Sequence, residues 1–165
     1  MNLLRILKNL STPDWVARRA FTPTVLNRIA LTIKESEATH RGEIRFAIEG
    51  DLHLLPLLKG ATAHTRAIAV FSDLRVWDTE ENTGVLVYLQ LIDRDFEIVA
   101  DRGINARVKQ TEWEAVCLRM EAAFRKGDFE AGVMAGLTDI TTLLTRHFPA
   151  RESNPDELPN QPVVL

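Results

Sequence analysis

Apolar positions along the chain recur with two periods, and each change of period marks a change of element. Val25, Leu26, Ile29, Ala30 and Ile33 fall at helical spacing behind Thr22-Pro23, a capping residue followed by the proline that suits a first helical position. Gly42 ends that pattern. Glu43-Ile-Arg-Phe-Ala-Ile-Glu49 then alternates every second residue, which predicts a strand with one face in the core. Residues 50 to 56 read as a connection. From about Gly60, the residues Ala63, Ala67, Val70, Phe71 and Leu74 mark a second amphipathic helix. After the polar run Trp77 to Thr83, the almost unbroken apolar stretch Val85 to Ile92 predicts a strand covered on both faces.

Asp93-Arg94 is a turn candidate between that strand and Asp95-Phe-Glu-Ile-Val-Ala100, giving an antiparallel hairpin that lacks the Asn-Gly signature of the tightest turns. Thr111 and Glu114 have capping-box spacing and open a helix whose stripe is Trp113, Val116, Cys117, Met120 and Phe124. Gly127-Asp128 separates it from a last helix carrying Phe129, Val133, Leu137, Ile140, Leu144 and Phe148. The pattern predicts α/β architecture: a three-layer α/β/α sandwich whose small mixed sheet contains a hairpin and is flanked by helices. Residues 1–21 read as an N-terminal amphipathic segment, 22–149 as the folded domain, and 150–165, rich in proline and polar residues, as an irregular C-terminal tail.

A chain of 165 residues supports one core. Its formal charge of -3 offers no basic field for phosphates, which argues against a nucleic-acid partner. Cys117 is the sole cysteine, so neither an intrachain disulfide nor a cysteine-based zinc site can form, and a reducing, cytoplasmic setting fits. The leucines of the first ten residues, interleaved with Arg5 and Lys8, are too few for a membrane span, which needs about 20 apolar residues. They suit a peripheral surface contact or, as the favoured reading, packing back onto the domain.

Candidate chemistry gathers near the strand ends. Glu43 and Asp101 each flank a strand on an otherwise apolar background, where a carboxylate can hold a hard cation or carry a raised pKa. For either alone, a salt bridge to Arg45, Arg102 or Arg107 is an equally good use. Asp78, Glu80 and Asn82 echo the ligand spacing of a calcium loop, but Thr83 and Leu89 stand where its glycine and bidentate glutamate belong. Asp78 is kept as a further metal candidate because its loop leads into the buried strand. His40, His53, His64 and His147 lack ligand spacing and read as packing or surface residues; Cys117 reads as inert and buried. Trp113 is expected in the core and Trp77 on a surface.

Glu37 with Gly42-Glu43-Ile44 resembles the AExxTSGEI element of the TPM domain family (relatives of TLP18.3, Psb32 and MOLO-1). Thr79 with Asn82-Thr83-Gly84-Val85-Leu86 is similar to its TxxxNGVL element, and Asp101-Arg-Gly103-Ile-Asn105 to its GDxGIN element. Asn154-Pro-Asp-Glu-Leu-Pro159 resembles a short bacterial branch without the membrane helix of longer relatives. The departures are His40-Arg41 for Thr-Ser, Thr83 inside the Asn-Gly pair, and Ala100 for glycine. Within these motifs Glu37, Asn82 and Asn105 are the ligand-binding candidates beside the metal candidates Glu43, Asp101 and Asp78. The resemblance implies an α/β/α sandwich, calcium-type metal binding in some relatives, and no organic cofactor. It also implies a LemA-type membrane protein or another membrane-complex component as partner.

Two functional classes stay open. One is a metal-assisted acid phosphatase; the other is a non-enzymatic accessory or interaction domain with an acidic cleft. The second is favoured, because phosphoryl transfer needs positive charge and a positioned nucleophile or water. The chain offers no obvious nucleophile, and only Arg41 and Arg102 lie near the candidate carboxylates.

Overall fold

The computed structural model describes residues 20–50, 62–91 and 95–165. Most of the N-terminal leucine-rich segment, the 51–61 connection with His53, and the Asp93-Arg94 turn lie outside them. Four strands form one sheet: β1 (Glu43–Glu49), β2 (Gly84–Gln90), β3 (Asp95–Ala100) and β4 (Val163–Val164). Their order across the sheet is β3-β2-β1-β4. β1 runs parallel to both β2 and β4, and β2 and β3 form the expected antiparallel hairpin, with Val85 opposite Ala100 and Gln90 opposite Asp95.

Helices cover both faces. On one face lie α1 (Pro23–Glu37), α4 (Gln110–Arg125) and α5 (Phe129–His147). Ile29, Ile33, Trp113, Val116, Met120, Phe124, Val133, Leu137, Ile140 and Leu144 pack there with Ile44, Phe46, Ile48, Val85, Val87 and Leu89 of the sheet. On the other face lies α2 (Ala63–Asp73), whose Ala63, Ala67 and Val70 pack on Ala47, Leu86 and Tyr88 together with Leu158 from the tail. The three-layer mixed sandwich expected from the hydrophobic pattern is therefore the fold.

Local chemistry sets the helix starts. Thr22 accepts from the Val25 amide ahead of Pro23, as the sequence suggests. Thr62 and Thr65 close a reciprocal capping box at α2. The start of α4 differs from expectation: it begins at Gln110, and Glu112 rather than Glu114 reaches back, accepting from the Lys109 amide at 3.0 Å. A single helical turn, α3 (Arg102–Asn105), also follows β3, nucleated by Asp101 at its cap.

Two features bear directly on the site. Every residue of β1 is buried, not only the alternating apolar face. The polar positions Glu43, Arg45 and Glu49 point away from the large core and are covered by α2 and by the tail. The tail backbone is irregular over most of its length, crosses this face and ends in β4, with Val163 and Val164 opposite Ala47 and Ile48.

Candidate metal centre

The carboxylates converge at the end of the sheet where β1 and β2 begin. Glu37, at the last position of α1, turns its side chain toward β1 and accepts from the Ile44 amide through Oε1 at 2.7 Å. Its Oε2 is buried and has no hydrogen-bond partner. Glu43 opens β1, and its Oε2 accepts from the backbone amides of Glu157 at 3.1 Å and Leu158 at 3.0 Å. Those two donors come from the tail, which also brings Asp156. One oxygen each from Glu37, Glu43 and Asp156 lies within 4.8 Å of the others, and no other such acidic or metal-ligating group occurs among the described residues.

Burial of like charges perturbs the set. Desolvation, aided by Glu43 and Asp156, pushes the Glu37 carboxyl up to about 9 against the pull of the Ile44 amide and of Arg45. Burial likewise raises Glu43 to about 7, opposed by the two tail amides and assisted by Asp156 and Glu157. Arg45, next but one along β1, is lowered from its ordinary value by burial and steadied by Glu37. Its guanidinium donates to the carbonyls of Pro159 and Gln161, tying the same tail segment down. Asn154 donates to the carbonyls of Glu37, at 2.7 Å, and His40, at 3.0 Å. Asn160 donates to Asp156 Oδ2 at 2.9 Å.

The remaining sequence candidates are placed elsewhere. Asp101 sits two strands from Glu43, roughly 10 Å away by strand spacing. Its Oδ1 accepts from the Arg102 amide at 2.7 Å as the cap of α3, while Oδ2 is buried without a partner. Asn82 takes a left-handed backbone, φ 57, and accepts from Arg102 Nε at 2.8 Å. Asn105 donates to the Ala100 carbonyl at 2.7 Å. Asp78 is exposed in the turn after α2. Among the described residues Asp101 and Asp78 thus belong to no convergent carboxylate group, and the side chains of Asn82 and Asn105 hold a backbone junction.

That junction explains the glycines of the two motifs. A Cβ at Gly103 would lie 2.5 Å from the Asn82 carbonyl oxygen and 2.6 Å from that of Glu81, and one at Gly84 would collide with the Val76 carbonyl. Neither Glu43 nor Asp101 is paired with Arg45, Arg102 or Arg107 among the described residues; backbone amides take that role.

His40 is fully buried. Its Nδ1 accepts from the Gly42 amide at 3.2 Å, so the ring proton sits on Nε2, facing Ser36 Oγ at 2.8 Å. Burial lowers its pKa to about 4, so it shapes the loop as a neutral ring. Arg41 and Arg151 both bind Glu81 at the rim of a cavity of about 560 Å³ bordered by Thr83, Asn154 and Glu157. Cys117 is partly buried with its thiol pushed up to about 12, Trp113 is in the core, and Trp77 is half exposed.

Asp156 is the functional candidate that sequence reading missed. Its only signal was an aspartate in the proline-rich tail motif, with nothing to say that the tail returns to β1. Glu37 was selected from its motif but not as a metal ligand. At the opposite end of β1, Glu49 is held by the Arg66 guanidinium, at 2.8 to 3.0 Å, and by the Tyr88 hydroxyl. That cluster is internally satisfied.

Fold and site together define an α/β/α domain with a half-buried carboxylate centre closed by its own C-terminal segment. The family model of the TPM domain matches residues 17–143, most of the chain, and the chain belongs to that family. Among solved structures it is similar to the NMR structure of the BA42 protein from the psychrophilic bacterium Bizionia argentinensis. The TM-score is 0.77 and the identity 28%, over 87% of this chain and 94% of that one. No curated protein sequence matches. No helix among the described residues is long and apolar enough to cross a membrane.

Proposed function

We propose that this TPM domain is a non-enzymatic accessory module that binds a hard divalent cation, of calcium type, through Glu37, Glu43 and Asp156. One observation carries the reading: the buried, partnerless Oε2 of Glu37, in a group with two further carboxylates within 4.8 Å. An orphaned buried acceptor beside like charges is costly unless protons or a cation compensate it. All three donors are carboxylate oxygens, which suits calcium or magnesium and not a metal preferring sulfur or imidazole. The protein supplies only part of the roughly six to eight oxygens that calcium takes, leaving room for water or a partner's oxygen.

The accessory reading is preferred to a metal-assisted phosphatase because Arg41 and Arg151, the arginines beside the cleft, are already engaged by Glu81 and so are not free to clamp a phosphoryl group. An acidic cleft instead suits docking a partner segment, and the family resemblance makes a LemA-type membrane protein or another membrane-complex component the candidate.

Isothermal calorimetry with calcium chloride tests the cation site. Wild-type protein should bind, Glu37→Gln, Glu43→Gln and Asp156→Asn should each weaken binding at least tenfold, and Asp101→Asn and Asp78→Asn should not. Binding that ignores the first three substitutions refutes the site. Hydrolysis of a phosphomonoester that is calcium-dependent and lost in Glu43→Gln would favour the phosphatase over the accessory reading.

A further inference from the structure

The geometry points to the C-terminal segment 154–165 as a strap that cation occupancy locks across β1; this rests on the cation-binding reading above. Two ligands of the centre belong to the folded body, Glu37 on α1 and Glu43 on β1, while Asp156 arrives on the strap. A cation held by all three therefore bridges strap and body.

The strap's other attachments are mostly polar. Asn154 caps the Glu37 and His40 carbonyls, the Glu157 and Leu158 amides bind Glu43 Oε2, the Glu157 carboxylate accepts from the Glu80 amide at 2.7 Å, and Arg45 grips the carbonyls of Pro159 and Gln161. β4 adds two residues of pairing, extended by the Leu165 amide to the Ile48 carbonyl at 2.9 Å. Leu158 is its one residue in the hydrophobic core, seated with Ala47, Ala67, Val70 and Tyr88. With Leu158 and Pro162 as its buried residues, the segment opens at lower free energy than the fully buried sheet beneath it.

Without a cation, Asp156 docks within 4.8 Å of the Glu37 and Glu43 carboxyls, which is tolerated only with protons held on the set or against like charge. With a cation, opening the strap must first surrender a ligand. The strap-closed state is then favoured by the differential affinity of closed and open forms: at a calcium concentration 100 times Kd, about tenfold if losing Asp156 weakens binding tenfold, rising toward about 100-fold as the open form loses all affinity. Strap release would bare the Leu158 seat and the edge of β1 opposite Val163 and Val164, so the cation controls whether that edge is covered.

Residue-resolved amide hydrogen exchange on the full chain at pH 7.5, with EDTA or with calcium at 100 times the Kd from calorimetry, separates the two claims. The amides of β2 report global opening, and those of Leu158 and Leu165 report the strap. The expected result is a gain in protection of about 100-fold at β2 and of about tenfold or more at the strap, with the strap gain abolished in Asp156→Asn while its β2 amides stay as protected as wild type in EDTA. A gain at β2 with none at Leu158 and Leu165 overturns the strap and leaves the cation site standing. No gain at either set, with no calorimetric binding, overturns both.

Discussion

Replacing Glu37 by glutamine isolates the energetic cost of the carboxylate centre. In the folded protein burial pushes this carboxyl from its ordinary 4.5 up to about 9. Between those values the folded state holds a proton that the unfolded chain has released. The contribution of Glu37 is thus fully present below pH 4.5 and is lost as pH rises through 9. The slope is about 1.4 kcal/mol per pH unit. Between pH 7 and 8.5 the two neighbouring perturbed groups add less: Glu43, raised to about 7, is half titrated at the start of the window and contributes about 0.4 kcal/mol, and His40, lowered to about 4, is neutral in the folded state. Metal-free wild type should therefore lose about 2 kcal/mol across that window. In urea denaturation this is roughly a 1 M drop in midpoint. The substituted glutamine cannot titrate, though its side-chain oxygen can still accept from the Ile44 amide, so the variant should keep only the small slope of Glu43. With saturating calcium the wild-type midpoint should also flatten, because binding expels the proton and calcium affinity rises about tenfold per pH unit. A flat metal-free wild-type profile, or an equal slope in Glu37→Gln, would refute the buried-carboxyl account.

Asp101→Ala should cost about 1 kcal/mol through loss of the cap on α3, read as a melting temperature lower by about 3 °C, with calcium affinity unchanged. Gly103→Ala forces a methyl against two carbonyl oxygens and should destabilise by about 1 to 3 kcal/mol in the same assay; a neutral result would mean that the Asn82 turn is not as tight as its geometry. Leu158→Ala removes the strap's apolar anchor and should cost about 2 kcal/mol or more if the strap docks in solution, whereas loss below about 0.5 kcal/mol would mean that it does not. Cys117, its thiol raised to about 12, should resist iodoacetamide in native protein at pH 8 and react on addition of urea, as followed by mass spectrometry.

Much of the architecture is legible in the chain because it follows from local periodicity. The Ile29 and Ile33 stripe behind Thr22-Pro23, the apolar run from Val85 and the Trp113 to Phe124 stripe each specify an element and its buried face without reference to the rest of the fold. The motif residues were legible too, but not their uses. Asp101, Asn82 and Asn105 look like ligands in one dimension, whereas in three Asp101 Oδ1, Asn82 Oδ1 and Asn105 Nδ2 serve the turn that joins β3, α3 and the approach to β2.

By itself, then, the sequence determined the layers, the hairpin and the family, since amphipathic period, capping chemistry and motif spacing are properties of adjacent residues. Tertiary structure alone decided the centre. Glu37 and Asp156 stand near opposite ends of the described chain and meet only because the tail returns beside β1 to complete the order β3-β2-β1-β4. That return also buries the polar face of β1, which turns Glu43 from the exposed half of an alternating strand into a desolvated carboxylate with two tail amides on one oxygen. Desolvation and like-charge proximity depend on what lies across space, and no spacing along the chain encodes them.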